Sequence, residues 1–168
     1  MKKKLLAALV AAAFAQAQAH GAVHPIILDK SLQFDAAIAL TVTAQSANTL
    51  DMLAQRDMAI GEQVGMLVRT TILTAMTAGG AATLTIAVEG SVDNVAWVVY
   101  AQTAAIAVAL LTAGRTIDIP LPPQAPAAAG IPRYYRLTYT VATGPMTAGT
   151  LQSDLIVSGA QQNNPPTY

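Results

Sequence analysis

The chain of 168 residues contains no cysteine. Disulfide staples and thiolate metal sites are therefore excluded, and stability must come from an ordinary packed core. Charge is scarce as well. Asp, Glu, Lys and Arg make up 11% of the residues, against about 25% in ordinary soluble domains. The formal net charge is zero, and three of the nine basic residues are Lys2, Lys3 and Lys4. The chain beyond Lys4 is mildly acidic and has no Lys/Arg cluster, which argues against a nucleic-acid partner. Mean hydropathy is +0.46, yet no uninterrupted apolar span reaches the ~20 residues a membrane helix needs. A chain this apolar and outside a membrane has little charged surface to show water. It is expected to bury part of its exterior against other subunits.

Catalytic residue types are equally thin. His20 and His24 are the only histidines. Their i, i+4 spacing could face a metal from one helix side, but Gly21 and Pro25 oppose a helix there and no acid lies close by. If the chain were cut after Ala19, His20 would become a terminal histidine, as in the copper-dependent polysaccharide monooxygenases. The second histidine, four residues on, cannot complete their copper brace. Ser31, Ser46, Ser91, Ser153 and Ser158 have no distant histidine to act as base. Glu62, Glu89 and the aspartates are scattered, as solvated acids usually are. Gly79-Gly80 lacks the Lys-Ser/Thr of a phosphate loop and reads as a turn. Trp97, Tyr100, Tyr134 and Tyr135 could form a sugar-stacking platform, but alternating strand aromatics more often pack a core or an interface. No catalytic residue, cofactor or metal is expected, and the chain does not read as an enzyme.

What is present is period-two alternation. Ile38, Leu40 and Val42 alternate with smaller or polar neighbours. So do Met66, Val68, Thr70 and Ile72; Leu84, Ile86 and Val88; Val95, Trp97 and Val99; Ile117, Ile119 and Leu121; and Tyr135, Leu137, Tyr139 and Val141. Leu151, Leu155 and Val157 line one face of a last run. Each reads as a half-buried strand. Turns are expected at Gly79-Gly80, at Asp93-Asn94 and over "ATGPMTAG" (Ala142 to Gly149). Ala104 to Leu111 fits a helical turn as well as a strand. The Pro-rich stretch from Pro120 to Pro132 is too long for a tight turn and reads as a crossing or an exposed loop. Seven or more strands at this spacing argue for a two-sheet sandwich or jelly roll.

The amino terminus differs from the rest. Lys2 to Lys4, the apolar run from Leu5 to Phe14 and Ala17-Gln18-Ala19 have the layout of an export signal. The tail "QQNNPPTY" (161–168) is polar and reads as extended.

Several stretches together resemble one family. They are "ILDKSLQFDAAIALT" (Ile27 to Thr41), "SANTLDM" (Ser46 to Met52), "AQRDMAIGE" (Ala54 to Glu62), "GGAATLTIAVEGSVD" (Gly79 to Asp93) and "RYYRLTYTVATGPMTAGTL" (Arg133 to Leu151). Over roughly residues 27 to 158 their order and spacing resemble the capsid cement, or decoration, proteins of short-tailed bacteriophages of the Bordetella phage type. The resemblance implies a jelly-roll subunit spanning 27–160. It also implies homotrimers bound to the major capsid protein on the outer capsid surface, and no enzymatic activity. The 26 residues before it have no counterpart in the family. Because phage particles assemble in the host cytoplasm, this signal-like segment is expected to be retained as an arm. Lys2, Lys3 and Lys4 would then meet acidic capsid surface, while Leu5, Leu6 and Phe14 pack against a neighbouring subunit. No nucleic acid or membrane is expected as a partner. The alternative is a secreted β-sandwich module that binds carbohydrate or a cell surface.

Overall fold

The computed structural model describes residues 30–55, 66–122 and 130–157. The arm of residues 1–26 and the tail of residues 161–168 lie outside the described residues. So do Lys2, Lys3, Lys4, Leu5, Leu6, Phe14, His20 and His24.

Ten strands carry the described chain: β1 (Gln33–Ala39), β2 (Ala44–Gln45), β3 (Leu50–Asp51), β4 (Met66–Ala78), β5 (Thr83–Ser91), β6 (Val98–Gln102), β7 (Ile106–Ala107), β8 (Thr116–Pro120), β9 (Tyr134–Ala142) and β10 (Met146–Val157). No α-helix occurs among them, only short 3-10 turns at Lys30–Leu32 and Val108–Leu110. The fold is an all-β sandwich. One sheet has the order β1-β10-β4-β8. The other has the order β2-β9-β5-β6, with β3 beside β2 on the β9 edge and β7 beside β6 on the β5 edge. Every pairing is antiparallel. The pairs nest: β1 with β10, β2 and β3 with β9, β4 with β8, and β5 with β6. Successive nested pairs alternate between the sheets, so the chain winds around one core.

Alternation in the sequence becomes burial where two sheets face each other. Val68 and Ile72 of β4, Leu84, Ile86 and Val88 of β5, Ile117 and Ile119 of β8, Leu137 and Tyr139 of β9, and Leu151 and Leu155 of β10 all point into the shared core. The expected faces hold for these strands, and Tyr135 is buried with them.

Two expected strands are corrected. Val42 is 59% exposed in a bend after β1. β1 ends at Ala39 and the chain bends at 41–42, so the alternation that holds for Ile38 and Leu40 does not reach Val42. Val95 is 80% exposed and lies in the turn before β6, which starts only at Val98. Its neighbour Asp93 holds that turn with its side chain, and local side-chain bonding overrides the strand pattern. The loop expected over Ala142 to Gly149 shortens to 143–145, because β10 already begins at Met146. Ala104 to Leu111 divides between β7 and a 3-10 turn, so both readings of it apply to parts of the segment.

One polar network crosses the core. The Tyr139 hydroxyl donates to Asp35 Oδ2 at 2.6 Å and lies 2.8 Å from Ser153 Oγ. Ser153 meets Thr70 Oγ1 at 2.8 Å, and Asp35 Oδ1 accepts the Ala47 N–H at 2.8 Å. Asp35, Thr70 and Ser153 are all buried. Tyr139 belongs to one sheet and its partners on β1, β4 and β10 to the other, so the network ties the sheets together. Burial, followed by the nearby Asp35 charge, pushes the Tyr139 phenol far above its ordinary value. It therefore remains a donor at every accessible pH.

Tyr139→Phe would strand a buried carboxylate oxygen and should cost about 2–3 kcal/mol. Leu137→Ala on the same strand should cost ~2–5 kcal/mol through lost burial and a residual cavity. Thr140→Ala, on an exposed position beside them, should change stability by less than about 0.5 kcal/mol. Urea unfolding checks all three. A near-neutral Tyr139→Phe would show that the network does not hold the sheets.

Candidate interaction surface

Among the described residues, no three His, Cys, Asp or Glu side chains gather in a way that could hold a metal ion. Three of the serines considered for catalysis serve the fold, and Ser158 lies outside the described residues. Ser46 Oγ donates to Asn48 O and accepts the Leu137 N–H, Ser91 donates to Asp93, and Ser153 sits in the core network. Arg69 and Asp118 pair on the β1-β10-β4-β8 sheet, while arginine–acid pairs stacked on aromatic rings lie at one end of the sandwich and on the adjoining outer face of the β2-β9-β5-β6 sheet.

Residues 134, 136 and 138 of β9 have the parity opposite to Tyr135 and Leu137, so they face outward. The register sets Arg136 opposite Glu89 of β5, and their side chains pair at 2.6 Å. Trp97 lies beneath the Arg136 guanidinium, 4.1 Å from the ring centroid. The Gln45 amide oxygen, in the orientation that satisfies both ends of the amide, lies 3.2 Å from Arg136 Nη1 and Nη2. One arginine thus joins β2, β5, β9 and the β5–β6 turn.

A second arginine repeats the arrangement at the sheet end. Arg133 forms a two-pronged bridge to Asp51, with both bonds at 2.7 Å, and stacks 4.9 Å from the Tyr134 centroid. Its backbone joins Ser91 and Met52, through Arg133 N–H to Ser91 O and Met52 N–H to Arg133 O. The Arg133 side chain holds the Asp51 carboxyl below its ordinary value. Asp93 is lowered chiefly by the backbone N–H groups of Ala96 and Val95, which it accepts at 2.9 Å each.

Aromatic packing completes this end. Tyr100 meets Tyr135 edge-on at 6.1 Å, and its hydroxyl donates to Gly130 O at 2.9 Å. Gly90 makes room for it: a Cβ there would lie 2.7 Å from Tyr100 Cε2. Of the four aromatics considered as a sugar platform, Tyr135 is core. Trp97 and Tyr134 each present a ring face already taken by an arginine of the chain. Around them lies a rim of exposed apolar side chains: Leu53, Val92, Val95, Val98, Val99 and Ile131. Saturated Arg–acid pairs, stacked aromatics and bare aliphatics suit protein–protein contact, where Trp, Tyr and Arg supply most of the binding energy.

Asp51 and Asp93 have lowered pKa values in the fold, so the stability they contribute is complete above the ordinary carboxylate value of 3.8 and is lost as pH falls through their folded values. Trp97 is the only tryptophan and reports this turn. Its emission should stay constant from about pH 8 to pH 5 and shift below that ordinary carboxylate value. Asp93→Asn should shift it already at neutral pH. An acid-insensitive Trp97 would mean that these carboxylates do not hold the turn.

Comparison with protein families matches residues 34–155 to the family described as Bbp16, a name consistent with a protein of a Bordetella phage. The matched span falls inside the stretch that carries the resemblance. No curated protein matches the chain.

Proposed function

The chain belongs to the Bbp16 family, and from that membership we propose that it is a structural protein of a phage particle. In this reading it is a cement protein that binds the outer surface of the capsid as homotrimers. The family match over residues 34–155 is the observation that carries the reading. Three features support it. The nested order β1-β10-β4-β8 over β2-β9-β5-β6 is compatible with a jelly roll, the fold that the cement resemblance implies. The Arg133–Asp51 and Arg136–Glu89 pairs of the candidate surface neutralise each other's charge. The apolar rim beside them is suited to burial against another protein.

The mechanism is linkage. A protein that binds the assembled shell and not its separated subunits stabilises the shell by mass action. A three-fold oligomer matches a capsid's own three-fold axes, so one trimer bridges several capsomers through equivalent contacts. The arm adds Lys2, Lys3 and Lys4 to this attachment. A carbohydrate-binding module is the weaker reading, because a sugar would have to displace Arg136 from Trp97 or Arg133 from Tyr134.

Light scattering coupled to gel filtration should give about three times the 17.3 kDa of one chain. Capsids stripped of the protein should regain heat resistance when it is added back. Apart from the contribution of Lys2, Lys3 and Lys4, attachment should weaken only slightly with salt, since Arg69, Arg133 and Arg136 are each paired with an acid. A stable monomer that neither binds capsids nor changes their melting would overturn the cement reading.

A further inference from the structure

A sheet ends on a strand whose outer backbone groups have no strand to bond. Among the described residues the sandwich has four such edges: β1 and β8 in one sheet, β2 with β3 and β6 with β7 in the other. An open edge templates pairing with another chain unless something blunts it. Three of the four are blunted. β1 is covered by the segment that follows it, where Asn48 N–H donates to Phe34 O and Asn48 Nδ2 to Gln33 O, each at 3.1 Å. β8 carries the charged Asp118 and Pro120, which has no N–H to offer. β2 and β3 are two residues each.

β6 differs from these. It runs five residues, and among the described residues it pairs with β5 on one side and with no strand on the other. Between Asp93 and Arg115 the sequence has no Asp, Glu, Lys, Arg or Pro. The exposed aliphatics Val95, Val98, Val99 and Leu110 all lie in that stretch. One register shift, at Tyr100, interrupts the pairing with β5. The Tyr100 ring meets Tyr135 and its hydroxyl donates to Gly130 O, so the extra residue is anchored within its own chain.

Charge selects the occupant of this edge. Like charges directly opposite each other destabilise a strand pair. Two copies of β6 bring none together in any register. The other three edges of a second copy are blunted, which leaves its β6 as the complementary one. Identical antiparallel strands are related by a two-fold axis, and such a contact is self-complementary.

We propose that β6 pairs antiparallel with β6 of a second copy and joins two β2-β9-β5-β6 sheets into one. Val99 stands opposite Glu89, so the joined sheet carries the Arg136–Glu89 pairs of both copies on one outer face. Where the pairing forms rests on the cement reading. An isolated pair of short strands is marginal in water, so β6 does not hold free molecules together. Trimers fixed side by side on a shell meet at high effective concentration. There the two-fold pairing links one trimer to the next, a contact that a three-fold oligomer alone does not supply.

The lack of cysteine allows single-thiol cross-linking. Val99→Cys places a thiol on β6, and Leu73→Cys places a control on the other sheet; both positions are exposed. A bis-maleimide of ~8 Å reach covers the opposite and diagonal neighbours of a strand pair. On capsids, Val99→Cys should yield cross-linked dimers and Leu73→Cys should not. The free protein at low concentration should yield none. Adding Val98→Lys and Gln102→Lys should cut the dimer yield about tenfold while the protein still sediments with capsids. Capsid-bound Val99→Cys without dimers would overturn the pairing alone, and so would dimers indifferent to the lysines or matched by Leu73→Cys. Dimers in the dilute free protein would overturn it by placing β6 inside the trimer. A chain that does not sediment with capsids would overturn the cement reading and the pairing together.

Discussion

The sandwich is held in register by one hydroxyl. Tyr139 reaches from β9 across the core to Asp35 on β1 and Ser153 on β10, and through Ser153 to Thr70 on β4. Apolar packing alone tolerates sliding, because Leu, Ile and Val fit many neighbours. A buried carboxylate does not, since it must find its donors or lose their full hydrogen-bond energy. Slipping β9 by one residue would turn Tyr139 to solvent and carry Arg136 inward. The network therefore sets the two sheets against each other, and with them the parity of every outward-facing residue on β9.

That parity builds the surface at the sandwich end. With Tyr139 inward, Arg136 and Tyr134 face outward, Glu89 stands opposite Arg136, and Trp97 is drawn under the guanidinium. Arg133 and Asp51 tie the first turn of β9 to β3, and Asp93 closes the turn between β5 and β6. The charges thus satisfy one another and little is left to attract a small ligand. The end offers shape, stacked rings and aliphatic area, features suited to packing against another protein.

Much of this fold was legible from periodicity. Val68, Ile72, Leu84, Ile86, Val88, Ile117, Ile119 and Leu137 follow the alternation because each lies in a stretch that pairs with a neighbouring strand without a register shift. Val42 and Val95 broke the reading where the end of β1 and a side-chain-held turn interrupt the period. The surface was only half legible. Trp97 and Tyr134 stood out by type, but their arginine partners are set by register between strands far apart in the chain. Asp35 was hidden for the same reason: nothing local distinguishes a buried acid with a distant tyrosine donor from a solvated one. One signal for the pair on the outer face was present. Glu89 is the one acidic residue in an otherwise apolar and Thr-rich strand, and Arg136 sits between two core tyrosine-spaced positions.

The most direct test of the central claim is an image reconstruction of the intact phage particle at side-chain resolution. The cement reading requires two-sheeted density outside the continuous shell, grouped about the three-fold positions, with Trp97 recognisable beside Arg136. Particles with no such density outside the shell would contradict it, and so would density for this chain found only inside the shell or at the tail.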